Sequence, residues 1–267
     1  MRPYIGIFKT QFKQGIQYRT AAIAGIATQF FFGWVFIAIF SAFYGDQTAV
    51  NGFTKAQMTT YIWLQQAFLA FIMLWYRDNS LLEMIRTGHV AYELCRPLNI
   101  YAHWYARIFS QRLSSGLLRC VPILLLTALF PFGFGLSLPE TPISAMLFVI
   151  SLLLGLMINT AISMFVYISV FVTLSPAGSL LIFGIVGEFF SGGTLPIPLM
   201  PMTLQRVVAF LPFAYTADFP FRVYSGNIGT AEALAGIGIQ LLWLVLLPFI
   251  GNRLMNGTLK KLVIQGG

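Results

Sequence analysis

Of 267 residues, 58% are hydrophobic and 9% are charged, against roughly a quarter charged in an ordinary soluble domain. That balance excludes a soluble globular domain and places the chain in a bilayer. The formal net charge of +8 is no sign of nucleic-acid binding, because the basic residues stand beside apolar runs, where they meet anionic headgroups.

The first segment, "RPYIGIFKTQFKQGIQY" (2–18), sets Tyr4, Ile5, Phe8, Phe12 and Ile16 at helical spacing, with Lys9, Gln11, Lys13 and Gln17 on other faces. It predicts an amphipathic helix over 1–19 lying in the membrane interface; a frayed polar tail is the alternative. No small-residue cleavage site follows a short apolar core, so a removable signal peptide is not expected. Runs free of Asp, Glu, Lys and Arg then cover 20–45, 56–76, 120–139, 141–187 and 233–252. Each is long enough to cross a hydrocarbon core of about 30 Å, which takes about 20 helical residues. As one helix the run 141–187 would reach about 70 Å, and "TLSPAGS" (173–179) supplies a turn inside it. The expected fold class is therefore an all-α integral membrane protein with six spans, about 21–44, 57–76, 110–132, 142–172, 178–192 and 231–251.

Basic residues set the orientation. Arg2, Lys9, Lys13 and Arg19 precede the first span, Arg77, Arg86, Arg96, Arg107, Arg112 and Arg119 surround the 77–107 loop, and Arg253, Lys260 and Lys261 follow the last span. Lys55, Arg206 and Arg222 fall in the other loops. By the positive-inside rule both termini and the 77–107 loop are cytoplasmic, where Cys95 and Cys120 would stay reduced. Within the loop, "RDNSLLEMIRTG" (77–88) offers a helix start at Asp78, Asn79 or Ser80, a capping box from Ser80 to Glu83, and a stop at Gly88. Leu81, Leu82, Met84 and Ile85 make this short helix amphipathic and suited to docking in a partner's groove. A bland solvated loop is the alternative. The helix then gives way to "AYELCRPLN", where Pro97 holds Arg96 extended; Glu93, Arg96 and Pro97 form the elbow into the third span.

Between the last two spans, residues 193–230 are apolar, yet Pro196, Pro198, Pro201 and Pro212 forbid one continuous helix, and Arg206, Asp218 and Arg222 resist burial. Short re-entrant or interfacial helices on the outer face are expected, packed against protein; a seventh and eighth span are the alternative. With no long linker or internal repeat, residues 1–267 read as one membrane domain.

The chain has no phosphate loop, no H-E-x-x-H and no G-x-S-x-G, so no catalytic residues are assigned. His89, His103 and Cys95 lack metal-ligand spacing and no metal site is expected. Coupled carriers place ionisable groups inside their spans. Glu188 is the only acidic residue well inside an apolar run. Energy from a separate ATPase fits this chain better than an ion gradient, and such an ATPase needs a cytoplasmic surface to grip.

An amphipathic N-terminal helix, six spans, a cytoplasmic helix after span 2 followed by "YELCRPLN", and a Pro-rich apolar segment before span 6 resemble the permease subunit of type-2 ATP-binding-cassette (ABC) exporters. The most specific piece is G-x-x-x-Y-E-L-x-R-P-L over 88–98, which is similar to small bacterial permeases encoded apart from their ATPase. The resemblance implies a dimer with a second permease, homologous or identical, on two copies of an ATP-binding subunit that carries the ATP and Mg. This chain then holds no cofactor and is not itself an enzyme. It also implies a plasma (inner) membrane location, and makes Asn79, Ser80, Leu81, Leu82, Glu83, Met84, Ile85 and Arg86 the coupling helix. Spans 1, 2 and 5 would line the path between subunits.

Gln65, Gln66, Asn159, Ser163 and Glu188 are polar groups inside apolar spans. Helix–helix hydrogen bonding is the plainer role for the amides. Glu188 with Phe189 and Phe190 suits an amphipathic cation on the substrate path, or else caps a broken helix. A lipid, peptide or glycan precursor is an equal cargo, and an ion-coupled carrier or a membrane-embedded enzyme are the competing functions.

Overall fold

The computed structural model describes residues 2–17, 19–75, 77–130, 134–173 and 175–260; Met1, Tyr18, Tyr76, Pro131 and Phe132, which fall in the expected elements, lie outside them, as do Leu174 of the expected turn and Lys261. In chain order the elements are α1 (Arg2–Gln17), α2 (Arg19–Tyr44), β1 (Ala49–Val50), β2 (Phe53–Thr54), α3 (Lys55–Ala67), α4 (Leu69–Ile72), α5 (Asn79–Arg86), α6 (Val90–Leu94), α7 (Ile100–Ala128), α8 (Pro142–Thr173) and α9 (Pro176–Phe190). Two 3₁₀ turns, Ile197–Leu199 and Pro212–Tyr215, alternate with α10 (Met202–Val208) and α11 (Asp218–Tyr224) before α12 (Thr230–Leu259). Among the described residues three helices are long and apolar enough to cross a membrane, with spans at Ile23–Tyr44, Pro142–Thr173 and Thr230–Leu259, and Pro176–Phe190 is a shorter apolar helix. Pro176 opens α9 at its first turn, where its missing N–H costs nothing.

Local chemistry explains three departures from the expected boundaries. Between α2 and α3 the chain makes a small antiparallel hairpin, pairing Ala49 with Thr54 and Val50 with Phe53 across the turn Asn51-Gly52. Thr54 then starts α3 with a capping box, its hydroxyl accepting from Gln57 N at 3.2 Å and the Gln57 amide oxygen accepting from Thr54 N at 3.0 Å. The third span was expected from 110, but α7 begins at Ile100 because Asn99 caps it, Oδ1 accepting from Ala102 N at 2.9 Å. The supposed loop therefore ends earlier than 107.

The expected span 57–76 is not one helix. It breaks at Phe68, and α4 stops after Ile72 with Met73 extended. A helix end leaves its last four carbonyls without intrahelical partners, a heavy cost away from water. Two side chains meet it. Fully buried Arg112 of α7 donates Nη1 to Met73 O at 2.8 Å and Ala70 O at 3.5 Å, and Nη2 to Ser163 Oγ of α8 at 2.9 Å. Asn159 of α8 donates Nδ2 to Phe71 O and to Ile72 O, the latter at 2.9 Å. Arg112 is thus an interior cap, not a residue at a span's mouth.

α8 is the central helix. Near Tyr167 and Phe171 it packs with α5, and around Phe148, Ser151 and Gly155 it packs with α11 and the turn before it. From Ser151 to Tyr167 the rise is about 24 Å, so α5 and the α10–α11 segment sit towards opposite ends of the bundle. That segment is anchored through Asp218, which is buried and accepts from Tyr61 Oη at 3.0 Å and Ile197 N at 3.1 Å. Gly192 beside it has φ +80°, and a Cβ there would lie 2.3 Å from the Tyr61 hydroxyl, so only glycine fits. Gln240 of α12 completes the anchorage by donating to Ser151 O and Tyr215 O, each at 2.8 Å.

Asn159→Leu orphans two interior carbonyls and should lower stability by roughly 1–3 kcal/mol. Arg112→Met should cost more, since it orphans the Met73 and Ala70 carbonyls, parts α4 from α7 and breaks the link from α7 to Ser163 of α8. Thermal unfolding of the detergent-solubilised chain measures both, and Arg112→Met should show the larger fall in midpoint.

Candidate functional site

α5 is capped by Asp78, the first of the three starts the sequence offered, and the expected Ser80–Glu83 box does not form. Asp78 Oδ1 accepts from Ser80 N at 3.0 Å, Leu81 N at 3.4 Å and Ser80 Oγ at 2.7 Å. Glu83 lies a full turn in and pairs instead with Arg86 at 3.4 Å. Asp78 Oδ2 takes Arg107 Nε at 2.7 Å and Gln111 Nε2 at 2.8 Å, both from α7, while Asp78 N donates to Tyr167 Oη of α8 at 2.8 Å. Burial opposes ionisation of Asp78. It is outweighed by the Arg107 guanidinium and by hydrogen bonds from Ser80, Gln111 and Arg107, so the carboxyl sits below its ordinary value. An anion at a helix N-terminus also suits the helix dipole. At the other end Gly88 has φ +75°, the left-handed stop that lets the chain turn away.

The apolar face of α5 is used within the chain. Leu81, Leu82 and Ile85 are buried in a cluster with Val90, Trp104, Ile108, Tyr167 and Phe171, which corrects the expectation that they dock in a partner's groove: the bundle's own α7 and α8 supply that groove. Met84 is half-buried against the same cluster. Asn79, Ser80, Glu83, Arg86 and Thr87 form the exposed, polar side.

The stretch expected to be an elbow contains a further short helix, α6. Its Glu93 is pinned by His103 Nδ1 at 2.8 Å and by Arg96 Nη1 at 3.2 Å; Pro97 follows in the bend before the Asn99 cap. Tyr92 (73% exposed) and Leu94 (42% exposed) project from α6. Sequence reasoning gave neither a role, although a large aromatic four residues before an Arg–Pro turn was a readable signal. Among the described residues no three His, Cys, Asp or Glu side chains gather as a metal-ligand set.

Of the polar residues in apolar runs, Gln65 donates Nε2 to Gly193 O, and Gly193 N donates to Glu188 O at 2.8 Å. Gln65 and Glu188 thus meet through one turn. Gln66 is buried on another face of α3. The Glu188 carboxylate is exposed and accepts from Trp75 Nε1 at 3.2 Å. Phe189 and Phe190 are half-buried, their rings edge to face with centroids 5.4 Å apart. Glu188 shares the exposed side of α9 with Leu181, Ile182 and Ile185.

A family model described as "ABC-2 family transporter protein" matches residues 26–266. No curated protein and no solved structure matches the chain significantly.

Because Asp78 is held below its ordinary value of 3.8, its ionised form contributes stability above that pH, and the contribution fades as the pH falls through the depressed value. Asp78→Asn should keep the helix cap but lose this acid limb in a pH series of unfolding midpoints. Asp78→Ala should cost a further 0.5–2 kcal/mol or so through the lost cap. Leu81→Ala should destabilise the isolated chain by roughly 2–5 kcal/mol, because its face is interior.

Proposed function

The chain belongs to the ABC-2 transporter family, and we propose on that premise that it is the permease of an exporter driven by ATP that a separate subunit hydrolyses. Family membership implies an ATP-binding ABC partner and a multi-pass membrane protein. The finer reading is ours. Six spans cross the bilayer (α2, α3 with α4, α7, α8, α9 and α12), both termini are cytoplasmic, and α10–α11 lie on the outer face. Residues 1–267 form one membrane domain. A second permease and two ATPase subunits complete the assembly.

The observation that carries this reading is the geometry of α5. Its apolar side and its Asp78 cap fix it to α7 and α8, and its polar side is turned away from the bundle. A partner that closes on Asn79, Ser80, Glu83 and Arg86, with Tyr92 as an aromatic anchor, would move α7 and α8 and so shift the spans between two states. The exposed side of α9 supports the second permease: a carboxylate facing lipid alone is costly, and a second subunit with a polar path between would relieve it. The cargo is an amphipathic molecule, with Glu188 and Phe189 favouring a cation.

Glu83→Arg or Arg86→Glu should weaken copurification of the ATPase subunit about tenfold while leaving the unfolding midpoint unchanged, as expected for exposed residues. ATP-independent transport by the purified chain alone, driven by an ion gradient and lost in Glu188→Gln, would overturn the exporter reading in favour of a coupled carrier.

A further inference from the structure

α1 runs lengthwise beside the first half of α7. The Tyr4 hydroxyl accepts from Asn99 N at 3.2 Å, Phe8 O accepts from Ser110 Oγ at 2.7 Å, and Gln111 Nε2 donates to Gln11 Oε1 at 3.1 Å. Gly15 comes so close to α7 that a Cβ would collide with the Ser114 side chain. Beside this seam, where α5 starts, lies a cavity of about 480 Å³, inside the range of about 300–1,000 Å³ usual for small-molecule sites. One wall is a ridge of α7 in which every fourth residue contributes: Arg107, Gln111, Ser115 and Arg119. Gln11 and Gln14 face it from α1, and Arg77, Asp78 and Ser80 close the end.

Three arginines and one aspartate leave this cavity with a formal charge of +2 (three minus one). The single carboxylate is already engaged by Arg107 and Gln111, and it also occupies the first backbone N–H groups of α5, so the helix end is not free for a ligand. Arg77 Nε donates to the neutral Asn79 Oδ1 at 3.0 Å. Half-buried Arg119 leans on α2 at Gly25, where an added Cβ would lie 3.1 Å from its Cζ. Among the described residues no Asp or Glu forms an ion pair with Arg77 or Arg119. Two guanidinium groups without counter-charge, set in a polar cleft with amide side chains, match the oxygens of a phosphate in donor chemistry and sign.

We infer that the cavity between α1, α7 and the start of α5 binds a phosphate-bearing anion, with Arg77 and Arg119 as the charged donors. The assignment concerns the purified chain and does not depend on the transport reading. Its consequence is that an anion seated there touches α1 and the root of α5 together, so the occupancy of the cavity bears on how α5 is held.

The test uses the full chain in neutral detergent, with phosphatidylglycerol, phosphatidylcholine and inorganic phosphate as probes, read by thermal unfolding and by native mass spectrometry. Phosphatidylglycerol should raise the midpoint and remain bound, and phosphatidylcholine should do neither. The double variant Arg77→Gln/Arg119→Gln should weaken the response about tenfold or more; the corresponding double lysine variant should retain most of it, and Arg253→Gln, on α12, should behave as wild type. If inorganic phosphate reproduces the shift and the double variant abolishes it, the site stands and its ligand is a free phosphate. Equal responses of wild type and the double glutamine variant, or no response to any probe, overturn the assignment. Should the double variant fail to fold, Arg77→Gln alone, at an exposed position, decides between the same outcomes.

Discussion

The fold depends on one exchange in its interior: a buried guanidinium in return for four carbonyls that a broken helix cannot satisfy. Burying Arg112 among apolar helices is costly unless it is fully engaged, and ending α4 away from water is costly unless its carbonyls find donors. Each liability removes the other, with Asn159 covering the carbonyls that Arg112 does not reach. Because one side chain comes from α7 and the other from α8, the break in α4 fastens three elements at one point. Asp78 follows Met73 by only five residues, so the position of α5 is set by the same point. The cytoplasmic surface proposed for the partner is therefore positioned from inside the bundle.

How much of this was legible in the sequence follows the range of each interaction. Signals confined to a few residues could be read: Pro176 ends one apolar run and opens another, Asp78 stands before an apolar turn, and Gly88 ends it. Thr54 with Gln57 and Asn99 after Pro97 were equally local but went unread, because apolar-run boundaries were weighed above capping residues. Long-range partners were not legible. Nothing near Phe68 announces a break, since neither glycine nor proline lies between Ala67 and Met73; the break is tolerated because Arg112 and Asn159 are waiting 40 and more residues along the chain. The positive-inside rule sent Arg112 to a membrane mouth, and only packing shows that it is an interior cap. For α5 the amphipathic pattern was real, but a pattern records which side is buried, not what buries it.

The molecule also divides its polar chemistry by position. Towards one end of α8 the Asp218 cluster and Gln240 hold the α10–α11 segment with hydrogen bonds to backbone. Towards the other end, Asp78, Arg107, Gln111 and Tyr167 hold α5 through side chains. Between them the α9 surface carries Glu188 on an otherwise apolar side. On the proposed function this division would supply a firm outer segment, a surface that receives force, and a face that meets a second subunit.

The two attachments of α5 differ in how they yield. The contact of Leu81, Leu82 and Ile85 with Trp104 and Tyr167 is close-packed and nearly incompressible, so a load on α5 reaches α8 as a displacement of the whole contact. The bonds from Asp78 to Arg107 and Gln111 are discrete and can open one at a time, with the polar cleft beside them ready to accept the freed groups. Mechanically, α5 combines a rigid bearing on α7 and α8 with a releasable latch of discrete bonds to α7. One attachment can therefore loosen in steps while the other holds its shape.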